Sequence, residues 1–284
     1  MEIAFHLTSI EDSRRIKSGT AGRIYWGHEF CENLIPAEEE TKRVIDICRH
    51  GRLGFTFLTP FVTERGFKIL KRMFVFLRRE APACEVVLND WGVLNLLHRE
   101  FKGSFILAVG RLLTHQLRDP DLEKIISRQP PLLARRENGK LAVIFHKLPA
   151  EAYMRGVRSS YLNAVFSQDL LAAFGIERVE LNNLIQGVDL CGLKLKKSLY
   201  TPFVQVSTGR FCPMLSEFQK LQRIGACRKE CLKSYDVLRG ACGSRPLFKK
   251  GNTLFYENPV RQKDKLLREV DRLVVQSELP FKHL

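Results

Sequence analysis

The sequence lacks the signals that mark several large classes of protein. No apolar run in its 284 residues approaches the roughly 20 that a membrane-spanning helix needs. The stretch from Met1 to Leu7 has neither a basic leader nor a long apolar core, so no secretory signal is read and a cytoplasmic setting is expected. Gly-x-Ser-x-Gly, His-Glu-x-x-His, the Walker phosphate loop and the glycine-rich dinucleotide fingerprint are all missing. Their absence removes the standard hydrolase, zinc-protease and nucleotide-binding readings. Acidic residues are in short supply, 31 against 46 Lys and Arg, which leaves a net charge of +15. That excess suits RNA, an anionic lipid or an acidic partner, or simply a soluble cationic surface. It is scattered over pairs such as Arg78-Arg79, Arg135-Arg136 and Lys249-Lys250, with no block of five or six like charges that would form a nucleic-acid arm.

Cysteine, by contrast, is well represented, with eight residues. In a reducing compartment these read as thiols and metal ligands rather than a disulfide framework. Three form Cys212-x14-Cys227-x3-Cys231, just after the apolar, strand-like run Thr201 to Ser207. Clustered thiolates hold zinc or iron–sulfur clusters. The bland alternative is three unrelated core thiols, but the segment 225–231 is too polar for a core. Structural zinc sites usually pair their cysteines on both sides, and here only Cys227 and Cys231 are paired, which favours iron. The fourth ligand is expected to be Cys31, which follows a strand and so shares a rim with Cys212. Cys48 falls on an apolar helix face, Cys84 opens its strand and Cys191 sits in a stretch read as helical. Cys242, in a glycine-rich loop near Cys231, is the serious rival.

The hydrophobic pattern alternates strand with helix. Strands are read at Glu2 to Leu7, Arg23 to Phe30, Leu53 to Leu58, Glu85 to Leu88, Phe105 to Val109, Arg178 to Leu181 and Thr201 to Ser207. Leu141 to Phe145 reads as a strand outside the main sheet, and Ser160 to Phe166 as extended. Helices are read from Pro36 to His50 with Gly51 as the stop, over Thr63 to Arg79, from Val93 to Arg99, from Gln168 to Phe174 with Ser167 as N-cap, and in part of Leu184 to Lys197. Pro246 to Tyr256 reads as a hairpin turning at Gly251-Asn252, and Arg261 to Gln276 as a charged amphipathic helix. Repeated strand–helix units with short connections mean a parallel sheet, and about eight strands favour a closed or nearly closed (β/α) barrel of the TIM type. The expectation is one α/β barrel domain over residues 1–284, with a C-terminal hairpin and helix in 245–284 packed on it.

In such a barrel the chemistry collects at the C-terminal ends of the strands. Asn89, Asp90 and Arg111 lie there and are the substrate-side candidates. Asp90 equally suits an N-cap for the helix at Val93. Arg111 suits either a carboxylate clamp or an ion pair with Asp90 or Asp119. His28 and Glu29 are weighed as acid–base groups against a surface-loop role.

Several stretches together resemble the peptidase U-thirty-two (collagenase-like) family, most closely its short, anaerobic ubiquinone-biosynthesis (UbiV-like) branch. They are Gly27 to Cys31, Val87 to Gly92, Val109 to Pro120, Arg178 to Leu181, Gly209 to Cys212, Cys227-x3-Cys231 and Pro246-x4-Gly251-Asn252, in family order across nearly the whole chain. The resemblance implies a barrel carrying a 4Fe-4S cluster on Cys31, Cys212, Cys227 and Cys231. Many family members place a cysteine seven positions before Cys212, where this chain has Gln205; Cys31 stands in its stead, as in the UbiV-like branch. The resemblance also implies a part in oxygen-independent hydroxylation of a ubiquinone precursor. It further implies prephenate as oxygen donor, a related UbiU-like subunit and a lipid-binding protein as partners. RNA hydroxylation, a non-catalytic partner role and proteolysis are the alternatives.

Overall fold

A computed structural model describes residues 1–15, 21–127, 131–145, 147–214, 227–240, 245–261 and 265–276. In chain order its elements are β1 (Glu2–Leu7), β2 (Arg23–Gly27), α1 (Glu38–Gly51), β3 (Gly54–Leu58), α2 (Glu64–Glu80), β4 (Glu85–Leu88), α3 (Trp91–Glu100) and β5 (Ile106–Val109). There follow α4 (Leu122–Ile126), β6 (Leu132–Arg135), β7 (Leu141–Ile144), α5 (Glu151–Arg158), α6 (Val165–Ala173), β8 (Ile176–Asn182) and β9 (Lys196–Thr201). The last strands are β10 (Phe203–Thr208), β11 (Asp236–Leu238), β12 (Leu247–Lys250), β13 (Thr253–Glu257) and β14 (Arg272–Gln276).

Eight parallel strands close the expected barrel in the order β1-β14-β9-β8-β5-β4-β3-β2. The helices α1, α2 and α3 pack outside it, turning Val44, Ile45, Leu70, Phe74, Leu77, Val93 and Leu97 onto the strands, and this shell forms the main apolar core. Inside, a small apolar layer of Ala4, Tyr25, Leu58, Val87, Ala108, Tyr200 and Val274 fills the middle. A four-stranded antiparallel sheet, β10-β13-β12-β11, sits at the strands' C-terminal end. It is held there by the Phe30–Phe203–Phe255 cluster and by the hydrogen bond from Gln205 N to Asn182 Oδ1. Hairpin β6–β7 stands apart as a two-stranded sheet, so its strand lies outside the barrel as expected.

The largest departure from the sequence reading is at the C-terminal side. The segment expected to be a helix over Arg261 to Gln276 holds a 3-10 turn, Lys265–Arg268, and then strand β14 between β1 and β9. Leu266, Leu267, Val270, Leu273 and Val274 match a helical period, but Arg272, Val274 and Gln276 alternate inward and complete the barrel. A parallel ladder on both sides satisfies this backbone and outweighs a modest helical pattern. Thr201 to Ser207 is not one barrel strand: the barrel strand is β9, and the chain leaves it at Pro202 to begin β10 in the second sheet. Cys212 therefore follows a strand of the added sheet rather than closing a barrel strand.

Smaller differences have local causes. Gly51 stays within α1, and Arg52 takes the left-handed C-cap at φ 52°. Ser160 to Phe166 is a 3-10 turn followed by the start of α6, capped at Ala164, so Ser167 lies inside the helix. The Ser160 hydroxyl accepts from Leu162 N and stabilises that turn. Residues 184–195 form turns rather than helix, with Cys191 exposed in one of them.

Candidate metal centre beside a buried polar axis

Four chain segments meet at the barrel mouth. Cys31 caps a 3-10 turn, Glu32–Leu34, just beyond β2, and Cys212 follows β10. Cys227 precedes, and Cys231 lies within, the 3-10 turn Glu230–Leu232. All four cysteines line one cavity of about 510 Å³, together with His28, Phe30, Arg65, Arg210, Lys250 and Gly251. The structure thus brings the four predicted ligands around one space. Of the rivals, Cys48 and Cys84 are buried in the outer core and Cys191 is exposed elsewhere. Cys242 and residues 215–226, which link Cys212 to Cys227, lie outside the described residues.

The hairpin turn after β12 ties this cavity together. Gly251 has φ +61°, and a β-carbon there would lie 3.4 Å from both Cβ and Sγ of Cys231. Glycine lets the turn adopt a left-handed conformation hard against that sulfur. The side-chain amide of the neighbouring Asn252 donates to Phe30 O at 2.7 Å and Gly209 O at 2.6 Å. One side chain therefore links the Cys31 segment to the Cys212 segment. In the sequence Gly251-Asn252 reads as a hairpin turn and as part of the Pro246-x4-Gly251-Asn252 stretch of the resemblance; its bridging of the cysteine segments appears only in the fold.

Two of the thiols, Cys31 and Cys231, are pushed above the ordinary range by their surroundings. Burial raises Cys31, and the neighbouring Cys227 and Cys212 raise it further. Cys231 is pushed up to about 11, mainly by burial and then by Cys31, with Lys250 opposing. His28, on the wall shared with a second, mixed-charge cavity, is driven well below its ordinary range by burial and then by Lys250. Among the described residues no group of three or more His, Cys, Asp or Glu side chains is placed to hold a metal ion. Thiolates on one zinc would stand about 3.8 Å apart, given zinc–sulfur bonds near 2.3 Å. A multi-iron cluster spreads its ligands more widely and takes an all-sulfur donor set, and the four thiols that line this cavity are donors of that type.

Beneath Phe30, the floor of the cavity, lies a sealed polar layer. Arg111 is fully buried and pairs with fully buried Glu29, its Nε 3.1 Å from Oε2 and its Nη2 also on Oε2. Its guanidinium stacks 3.9 Å from the Tyr200 ring centroid and 5.1 Å from that of Phe30. Asn182 Oδ1 accepts from Nη1. Asn89 donates to Thr59 O and, weakly, to Glu29, while its Oδ1 accepts from Leu112 N. The partner of Arg111 is thus Glu29, rather than Asp90 or Asp119. Asp90 caps α3 by accepting from Gly92 N and Val93 N, and it also accepts from Val62 N. Asn89, Asp90 and Arg111 do not line the four-cysteine cavity. Asn89 and Arg111 lie in the layer that fixes Glu29, and through it the segment leading to Cys31. Glu29 is no surface-loop residue.

The barrel interior holds further polar side chains besides the apolar layer. Tyr25 Oη donates to Glu180 Oε1 at 3.1 Å, Arg272 pairs with Glu85, and Arg178 reaches Glu85 at 3.3 Å. Glu180 Oε2 and Tyr200 Oη are buried with no hydrogen-bond partner. Glu180 is pushed up to about 7 by burial and then by Glu85, against Arg272 and Arg178.

No family model and no curated protein sequence matches the chain. Among solved structures it is similar to the U32 peptidase Mk0906, at 9% identity and TM-score 0.43, over 98% of this chain and 92% of that one. It is also similar to human YKL-39, described as a pseudo-chitinase with retained chitooligosaccharide binding, at 11% identity and TM-score 0.37, over 96% of this chain and 91% of that one.

Proposed function

We propose that this chain is an iron–sulfur protein whose Cys31, Cys212, Cys227 and Cys231 hold a 4Fe-4S cluster. The observation that supports this most is that four cysteines from separate segments line one cavity, with Asn252 bridging two of those segments. The cluster would supply electron transfer or Lewis acidity at the barrel mouth. Glu29, Arg111 and Asn89 would hold the Cys31 segment in register beneath it, and Phe30 would screen that layer from the cavity. On the resemblance in its sequence, the chain takes part in oxygen-independent hydroxylation of a ubiquinone precursor. Prephenate is the proposed oxygen donor, and a UbiU-like subunit and a lipid-binding protein are the proposed partners. The net charge of +15 favours a second reading, hydroxylation of RNA. Bound RNA released steeply by a salt series would support it.

The first test is composition. Protein purified without oxygen should carry about four irons with matching sulfide per chain, the content of one such cluster. Stoichiometric zinc without sulfide would overturn the proposal. Alanine at Cys31, Cys212, Cys227 or Cys231 should each remove most of the iron after anaerobic reconstitution, while Cys242→Ala keeps it. Reversed results at Cys31 and Cys242 would reassign the fourth ligand.

A further inference from the structure

Large apolar side chains left in water are concentrated in one part of this molecule. Of the 21 among the described residues, 12 fall between residues 132 and 170. Six belong to the β6–β7 arm and the residue after it: Leu132, Leu133, Leu141, Val143, Ile144 and Phe145, all between 52% and 76% exposed. The register pairs Leu132 with Ile144, Leu133 with Val143 and Arg135 with Leu141. Residues directly across a ladder share a face, and faces alternate along a strand. One face therefore carries Leu132 and Ile144, and the other Leu133, Leu141 and Val143. A hairpin on a soluble protein normally keeps one face for water; this arm keeps neither. A two-stranded sheet alone is also marginal in water, so the arm has surface to bury and nothing in the described chain buries it.

Its charged neighbours are one-sided. Arg135, Arg136 and Lys140 stand exposed at the turn, and Lys147 is exposed past the other end, against the single acid Glu137. From this arrangement we infer that the β6–β7 arm docks peripherally on an anionic lipid surface. Charge complementarity is the first reason: the arm's cations meet lipid phosphates, and the chain's +15 adds a longer-range attraction. A second copy of the chain would instead bring like charge against like. The second reason is shape. Interfacial segments sink about 5–10 Å into the headgroup and acyl boundary. A β-ribbon is roughly 10 Å thick with its side chains, so lipid can cover both faces without a matching cleft. Long Arg and Lys side chains reach back to the headgroups from that depth. No helix among the described residues is long and apolar enough to cross a membrane, and the contact needs none.

The experiment is vesicle co-sedimentation of the full chain, and it is independent of any metal. Wild-type protein should bind phosphatidylcholine vesicles containing one quarter phosphatidylglycerol, bind pure phosphatidylcholine far less, and be released as salt rises. Combining Leu141→Ser, Val143→Ser and Phe145→Ser leaves the charge untouched and should lower the partition at least about tenfold, through lost apolar burial. Combining Arg135→Gln, Arg136→Gln and Lys140→Gln should weaken binding on the anionic vesicles only. Circular dichroism of both variants should match wild type, since the arm stands apart from the barrel. Unchanged binding by the serine variant would overturn the inference, because adsorption would then follow from net charge alone. Failure of the wild type to bind would overturn it too. So would a solution dimer abolished by the serine changes, which would assign the arm to protein contact.

Discussion

Arg111 and Glu29 form the kind of contact whose removal costs more than its presence contributes. Both side chains are fully buried, so each is tolerable only because the other neutralises it. Arg111→Ala should destabilise the protein by about 3–5 kcal/mol in a denaturant melt, because it strands Glu29 without its partner. The double change Glu29→Gln with Arg111→Met should cost markedly less than that single variant. Glu180 gives a pH signature. Its ordinary value is 4.5 and folding pushes it up to about 7. Between those values the folded state binds a proton that the unfolded state has released. Stability should therefore fall as pH rises through this window, by at most about 1.4 kcal/mol per pH unit from this group. Below it both states are protonated, and the contribution is constant. Glu180→Gln should flatten that part of the stability–pH curve relative to wild type; parallel curves would show that Glu180 is already charged in the fold.

At the scale of elements, β14 decides whether a barrel exists at all. It hydrogen-bonds in parallel to β1 on one side and β9 on the other, and it turns Arg272 and Val274 into the interior. Val274→Pro removes a ladder donor and imposes a φ unsuited to a central strand. The expected outcome is a loss of about 3 kcal/mol or more, with lowered cooperativity in thermal circular dichroism. A wild-type melt for this variant would mean that the C-terminal segment does not close the sheet. The turn after β12 works on a smaller scale. It contributes no thiol, yet it abuts Cys231 and joins the segments of Cys31 and Cys212.

For the whole molecule, the main core and the four-cysteine cavity are separate. The core lies between the strands and α1, α2 and α3, whereas the cavity sits beyond the strands' C-terminal ends under the added sheet. A domain whose apolar core forms without metal does not follow the all-or-none folding of a zinc finger. Exposure to air should thus bleach the proposed cluster while far-UV circular dichroism stays near its anaerobic spectrum. Wholesale unfolding on oxidation would show that the mouth sheet and its thiols hold the barrel shut.

Much of this architecture was legible in the chain itself. The strands Glu85 to Leu88 and Leu53 to Leu58, the helices after Pro36 and Thr63 and the hairpin at Gly251-Asn252 all follow from local patterns: unbroken apolar runs, helical spacing and turn chemistry. The thiols could be singled out because Cys212, Cys227 and Cys231 are clustered in sequence and the segment 225–231 is too polar to be core. Local pattern could not reach decisions that depend on distant partners. Arg272 to Gln276 reads as helix until β1 and β9 present it with two unpaired edges. Glu29 reads as a loop acid until the fold sets Arg111 against it, 82 residues away in sequence. Asn252 reads as a turn residue until two carbonyls from separate segments converge on its amide. The sequence by itself determined which residues form strands and helices wherever burial has a single period. Tertiary structure alone decided which strand closes the barrel and which charges neutralise one another, because those energies arise only when segments far apart in the chain are brought into contact.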